Sequence, residues 1–481
     1  MTKARSAIII GGGHNGLICA AYLARKGLKV EVLEARNTLG GGLALTSSHM
    51  SLHASILKDL KIKLTSQAPV KTIALGPDGE HLCFSGNTVD GPEAARYAAF
   101  REEYLAYAKA LGPLMLNTPP RLKDFDRADA MTFGKLGWAL RFGLGEEAMR
   151  EFLRVAGMNV YDVLEERFSA PLLKGALAYD AIIGCHVGPR TPNTVLNFLM
   201  RLFHDSGQQR VSAAATTSAL EEAAGKAGVT MKCGAKVASI LVQSDKAVGV
   251  TLDTGEALRA DIIVSNADAK TTFLDLLGTR HLDALFAHRI SKPRTDGDVA
   301  RLRLSLKARP TVPGLPDSDL SQRLVIAPDM RTVERAFNAS KYGEYSKEPV
   351  MDMMLDGRTL SINAAYAPLK LKEGWEAGAE GFKAAVLTVL ERYAPGLSAS
   401  VETAELMTPA DMAEAFGNAG GHWHHGEMAI DQAFMMRPVH GTAQYETPVA
   451  GLYLCGAAAH PGGDITGLPG RNAAKRILRT A

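Results

Sequence analysis

The 481-residue chain has only five cysteines, Cys19, Cys83, Cys185, Cys233 and Cys455, and no two stand in a CxxC pair. Scattered single thiols exclude a disulfide framework and a zinc ribbon, and they suit a reducing, cytoplasmic compartment. No uncharged apolar run reaches the roughly 18 residues that a spanning helix needs. There is no long Lys/Arg block, and a net charge of +3 is too small to argue for nucleic acid. A strand begins within the first ten residues, which leaves no room for a secretory signal. Internal repeats and low-complexity tracts are also missing. With 46% hydrophobic and 22% charged residues, the chain reads as an ordinary globular protein. Its length predicts about two domains.

Glycine is abundant, and it concentrates in two places. Gly11-Gly12-Gly13-His14-Asn15-Gly16 follows the apolar run Ala7-Ile8-Ile9-Ile10. Near the other end, Leu452-Tyr453-Leu454-Cys455-Gly456 precedes His460-Pro461-Gly462-Gly463-Asp464-Ile465-Thr466-Gly467. The first apolar run suits a strand buried on both faces of a parallel sheet. Leu17, Ala20, Ala21, Leu23 and Ala24 then recur at helical spacing, and Gly27 is a plausible stop. Lys29-Val30-Glu31-Val32-Leu33 is a second strand, ending at Glu34. Within this βαβ start Gly11 allows the tight turn, Gly13 admits a pyrophosphate to the backbone, and Gly16 permits close helix–strand packing. The unpaired N–H groups of the helix N-terminus face the phosphates. Glu34, 21 residues beyond Gly13, is spaced to accept hydrogen bonds from a ribose, which argues against a 2′-phosphate.

The run Glu34-Ala35-Arg36-Asn37-Thr38-Leu39-Gly40-Gly41-Gly42 places a glycine pair six residues past that acid. This feature separates FAD from NAD, and a cofactor site closed by both ends of the chain is that of a flavoprotein. Here the chain resembles the FAD-dependent amine oxidases and phytoene desaturases. It matches best the phytoene-dehydrogenase-like, pyridine nucleotide-disulphide oxidoreductase-domain type. Gly420-Gly421-His422-Trp423-His424-His425-Gly426-Glu427 and Met436-Arg437-Pro438 fit the same branch. The resemblance implies FAD held by Gly11, Gly13, His14, Asn15, Gly16, Glu34, Ala35, Arg36, Gly41 and Gly42. It adds Val237, whose counterpart pairs its backbone with the adenine, and Asn266, Gly456, Gly463, Asp464 and Thr466. Three positions depart from the branch. Gly42 stands where Arg or Lys is common, Asp464 where Gly is usual, and Ala457 where many relatives carry an acid.

The fold class expected is α/β: a discontinuous Rossmann-like FAD-binding domain, glutathione-reductase-like, with an inserted α+β substrate domain. Residues 1–75, 208–285 and 405–481 are assigned to the first, 76–207 and 286–404 to the second. His425, His460 and Asp464 are the candidate catalytic residues, since they adjoin glycine segments that approach the flavin ring. Tyr179, His186 and Arg190 are candidate substrate residues by the same resemblance. The histidines at 422, 424 and 425 lack the Cys or carboxylate partners of a recognised metal spacing, so no metal is assigned. Phe133-Gly134-Lys135-Leu136-Gly137-Trp138-Ala139-Leu140-Arg141-Phe142 reads either as a peripheral membrane contact or as a core helix with snorkelling cations. The oligomeric state stays open. The resemblance implies desaturation of an apolar, isoprenoid- or carotenoid-like small molecule. Hydride would pass to flavin N5, with oxygen or a quinone as the onward acceptor. Amine oxidation, carotenoid isomerisation and a structural FAD in an interaction or regulatory protein remain open beside it.

Overall fold

The structure is a computed structural model describing residues 5–45, 52–64, 71–121, 125–205 and 212–480. A five-stranded parallel sheet forms from Leu452–Leu454, Ile262–Ser265, Ser6–Ile10, Lys29–Leu33 and Thr230–Lys232, in that spatial order. The registers set Ile8 beside Ile263, Ile9 beside Val32 and Val264 beside Tyr453. The inner strands are buried on both faces, and Ile9, Val32, Ile263 and Val264 have no exposed surface, while the edge strand Thr230–Lys232 stays largely exposed. The N-terminal strand is central and the C-terminal strand lies at one edge. Because all five run the same way, the turns at Gly11, Glu34, Asn266 and Gly456 leave the sheet along one side. That side is where open α/β sheets bind ligands.

The first helix, His14–Ala24, packs against the last, Leu468–Thr480. A Cβ on Gly470 would lie 2.2 Å from the Asn15 carbonyl oxygen, so only glycine permits this approach. Pro469 occupies the first turn of the last helix, where its missing N–H has no partner to lose. Val237–Gln243, Lys246–Leu252 and Ala257–Arg259 make an antiparallel meander beside the parallel sheet. Gly255 turns its second hairpin at φ +87°.

A second sheet of eight strands runs Val401–Met407, Val299–Leu306, Thr359–Ala365, Met351–Asp356, Arg323–Ile326, Thr72–Ala74, Leu82–Ser85 and Thr88–Val89. It has its own core, built from Leu302, Leu304, Leu324, Met351 and Ile362 against Phe382, Val386 and Leu390 of helix Trp375–Tyr393. We propose that the two sheets mark the two domains. The borders then shift from the sequence expectation, because strands Thr72–Ala74 and Val401–Met407 belong to the second sheet. The expected border at 207/208 lies outside the described residues.

Between the sheets lies a helical layer whose core is aromatic. Phe100 of helix Ala94–Ala110 stacks on Tyr104 at 4.1 Å and meets Phe168 edge-on at 5.2 Å. Residues 146–167 form two helices, Glu146–Ala156 and Val160–Arg167, with Gly157 at the break. Helix Arg127–Trp138 and the turn after it are not core elements. Trp138 is 64% exposed and Phe142 68% exposed, which removes the core-helix reading of that segment. Among the described residues no helix is long and apolar enough to cross a membrane.

A charged triad joins the helical layer to the second sheet. Buried Arg323 sits 2.8 Å from Asp180 of helix Pro171–Ile182 and donates through Nε to Asp352 at 2.9 Å. Asn363 on the adjacent strand donates to the other Asp352 oxygen at 2.9 Å. Removing the cation would strand two carboxylates in a low-dielectric interior. Arg323→Met is therefore expected to cost about 3–5 kcal/mol in urea unfolding. Adding Asp180→Asn and Asp352→Asn should restore most of that loss.

Candidate active site

The turn at Gly11–Gly13 is shaped by what cannot be there. A Cβ on Gly13 would sit 2.9 Å from Asn266 Nδ2, and one on Gly16 would sit 2.3 Å from the Gly11 carbonyl oxygen. Gly13 caps the first helix without a side-chain hydrogen bond, and no acid stands in the first turn. The helix thus presents uncapped N–H groups and its positive end, the arrangement that binds a pyrophosphate. The glycine pair folds back onto this turn: Gly40 N donates to Gly12 O at 2.9 Å. A Cβ on Gly41 would lie 3.2 Å from Gly13 Cα, whereas one on Gly42 would meet nothing within 4 Å. Glu34 is buried. Its carboxylate accepts from Gly12 N at 2.7 Å and from Arg36 N at 2.9 Å, leaving lone pairs on both oxygens for ribose hydroxyls.

These groups open onto a cavity of about 990 Å³, at the upper end of the range for ligand sites. Gly11, Gly13, His14, Asn15, Glu34, Ala35, Arg36, Gly41, Gly42, Val237, Asn266 and Asp464 all line it. Gly16, Gly456, Gly463 and Thr466 do not. Gly456 is pressed against the Asn266 backbone and Gly463 against the His424 ring. Thr466 Oγ1 instead accepts from Leu468 N at 3.3 Å. The glycines act by being small, so that neighbours which do line the cavity can close in. Buried ring nitrogens His14 Nε2, Trp423 Nε1 and His425 Nδ1 line the cavity without hydrogen-bond partners. An elongated dinucleotide with polar atoms along its length fits both the glycine cradle and these orphaned groups.

Beyond the cradle the cavity continues as a chamber walled by Leu177, Tyr179, Ile182, Phe198, Met353 and the loop carrying Trp423, His424 and His425. Asp464, at φ +59°, is clamped between His204 Nδ1 at 2.8 Å and His424 Nε2 at 3.5 Å. Despite burial, those histidines hold its carboxyl well below the usual carboxylate range. Trp423 stacks on His424 with ring centroids 5.4 Å apart. Burial, as the main cause, pushes His14 and His424 down to about 4. It lowers His425 in the same sense. These imidazoles are neutral at pH 7.

Arg437 organises this loop, and its role was not readable from the sequence. Its buried guanidinium donates to the carbonyl oxygens of His424, Gly426, Glu427, Gln432 and Ala457 at 2.8–3.2 Å. Arg294 adds an outer tie, donating to Glu427 at 2.7 Å and to both Asp431 oxygens at 2.8 Å.

Three of the catalytic and substrate candidates also do not line the cavity. His460 is buried on another side, where Nε2 donates to the Leu114 carbonyl at 3.0 Å. His186 bonds Ser340 Oγ at 2.7 Å and meets Phe337 edge-on. Arg190 stacks over Tyr161 at 4.2 Å, out in solvent. Of the substrate candidates only Tyr179 reaches the chamber, with its hydroxyl donating to Asn363 O at 3.4 Å. Among the described residues no three metal-ligating groups converge, the histidines of the 422–425 loop included.

Comparison with known proteins accords with this geometry. The family model described as FAD dependent oxidoreductase matches residues 6–294, more than half the chain. The chain is 28% identical to pyridine nucleotide-disulfide oxidoreductase domain-containing protein 2 of Mus musculus, over 98% of this chain and 93% of that one. It is 24% identical to a lycopene-forming phytoene desaturase of a Paracoccus species, over 97% and 95% of the two chains. An oxidoreductase from Methanosarcina mazei shares the fold at a TM-score of 0.61 with 15% identity, covering 99% of this chain and all of that one. The chain belongs to the FAD-dependent oxidoreductases, and its cofactor is FAD.

Proposed function

We propose that this oxidoreductase dehydrogenates a largely apolar small molecule held in the chamber beside the cofactor. The observation that carries the reading is the continuity of one cavity from the Gly11–Gly13 cradle to the apolar wall of Leu177, Ile182, Phe198 and Met353. FAD supplies a two-electron acceptor when bound. The protein holds the substrate against apolar side chains and keeps charged water-binding groups off that part of the wall. His425 is placed to take a proton at Nδ1, a buried atom that has no partner and lines the chamber. Asp464 and Trp423 act on His424, one fixing its Nε2 edge and the other its plane. Amine oxidation is the weaker alternative, because the wall carries Arg101 with a buried, unpartnered Nε, a cationic donor that an ammonium cannot satisfy.

The purified protein should be yellow and should release FAD on heating. Anaerobic mixing with a panel of polyenes, cyclic terpenes and amines should bleach the flavin with a hydrocarbon-like member and leave it oxidised with amines. Bleaching by amines alone would reverse that order, and no bleaching by any member would favour a structural FAD. His425→Ala should retain FAD and slow bleaching by about 10²-fold or more if Nδ1 takes the proton.

The neutral imidazoles also set an acid limit. His14, His424 and His460 have folded-state values of about 4, against 6.5 in the unfolded chain. Between these values the unfolded state binds more protons, so stability is present above pH 6.5 and lost as pH falls towards 4. Each imidazole contributes up to about 3 kcal/mol to this loss. Melting temperature should fall steeply from pH 6.5 to 4.5, and His460→Gln should make that slope shallower.

We further propose that the exposed face of Met131, Trp138 and Phe142, with Lys135 and Arg141 beside it, rests on an anionic membrane surface. Wild-type protein should co-sediment with vesicles containing phosphatidylserine. Trp138→Ser/Phe142→Ser should abolish this without loss of FAD, and equal binding by the variant would refute the contact.

A further inference from the structure

Helix Ala94–Ala110 turns Tyr97, Arg101, Leu105 and Lys109 to the cavity. The spacing of four keeps these side chains on one face, while Phe100, Tyr104 and Tyr107 anchor the helix from behind. Arg101 is anomalous. Among the described residues it has no hydrogen-bond or ion-pair partner, yet its Nε is shut away from solvent. Charge cannot be relieved there by deprotonation, since a guanidinium stays protonated at any accessible pH. A buried donor without an acceptor is costly, and the cost falls when a ligand supplies one. The neighbouring Arg323 is bound through Nη1 to Asp180 and through Nε to Asp352, whereas Arg101 has no such carboxylate among the described residues. Arg201 lies 3.7 Å from Asp180 on the same wall. Arg101, Lys109, Arg201 and Arg323 share this wall with Asp180 and Asp352, and neither carboxylate is paired with Arg101.

We propose that the substrate is amphipathic, with a carboxylate head seated on Arg101 and an apolar body running along Leu105, Leu177 and Phe198 towards the flavin. This rests on the dehydrogenase reading and adds a substrate class to it. A planar guanidinium matches a carboxylate in a two-pronged hydrogen bond. A monoanion is favoured over a phosphate, because a second negative charge would be repelled by the carboxylates of Asp180 and Asp352 on the same wall. Lys109 is exposed and also borders the groove under Trp138, so it stands at the rim with Arg101 further in. Together they form a cationic path that draws an acid inward.

Calorimetric titration of the FAD-loaded protein with decanoate, decanol, decylamine and decyl phosphate tests the assignment without relying on turnover. Decanoate should bind at least about tenfold more tightly than decanol or decylamine, the difference expected of one charge-assisted hydrogen-bond pair. Arg101→Gln should erase that preference, Arg101→Lys should keep part of it, and Arg101→Glu should transfer it to decylamine. Equal binding of decanoate and decanol by wild-type protein would overturn the proposal even if every Arg101 variant failed to fold. Tighter binding of decyl phosphate, or an undiminished preference in Arg101→Gln, would overturn it as well. The two readings fail separately. Arg101-dependent acid binding with no acid or hydrocarbon able to bleach the flavin would remove the dehydrogenase reading and leave the head-group site standing.

Discussion

One buried guanidinium holds the substrate side of this site to its cofactor side. The 418–432 segment has no long ladder of backbone hydrogen bonds, and Gly420, Gly421, His425 and Gly426 all adopt positive φ. Such a segment leaves carbonyl oxygens without partners, and burying them unpaired would be costly. Arg437 supplies a rigid fork of five N–H groups, which lysine could not. It gathers carbonyls from His424 to Gln432 together with Ala457, the residue that follows Gly456 off the parallel sheet. Its acceptors are neutral, so burial draws its pKa down to about 10, yet it stays charged at neutral pH. Positions of Trp423, His424 and His425 follow from this arrangement.

Asp464 is held in a comparable way beside the same loop. A carboxylate at that depth would ordinarily be driven to its neutral form. Two histidines keep it ionised, and it in turn fixes the edge of His424. The cavity therefore has two characters that meet at these residues. On one side glycine backbones and a helix end suit phosphates. On the other, a mixed wall carries aliphatic side chains beside an uncompensated cation.

How much of this was legible depends on how local each signal was. The βαβ start was readable because Gly11, Gly13, Gly16 and Glu34 act within one short stretch, and the structure places three of them on the cavity. His425 and Asp464 were legible as neighbours of glycine turns. His460 has the same sequence context but lies on the other side of its segment, towards Leu114. A loop residue's direction depends on what it packs against, which spacing does not reveal. Arg323 and Asp352 meet only through strand pairing and Asp180 only through helix docking, so nothing local announces the triad. The Tyr97, Arg101, Leu105, Lys109 stripe did carry a signal, a repeat of four along a helix. It was missed because a charged residue on an amphipathic helix is ordinarily read as facing water.

The order of strands in the parallel sheet has a consequence for how the protein is made. The central strand, Ser6–Ile10, is synthesised long before the edge strand, Leu452–Leu454, that leads into Gly456 and Ala457. A ribosome must deliver everything between these two strands before the two halves of the flavin cradle can meet. Until then the nascent protein has a phosphate-binding turn but lacks the cavity wall that Ala457 and Asp464 supply. Flavin capture thus reports that the edge strand has been made and docked. A ligand that binds only the finished fold stabilises that fold alone, so chains stalled before the edge strand emerges gain nothing from FAD and stay exposed to proteolysis.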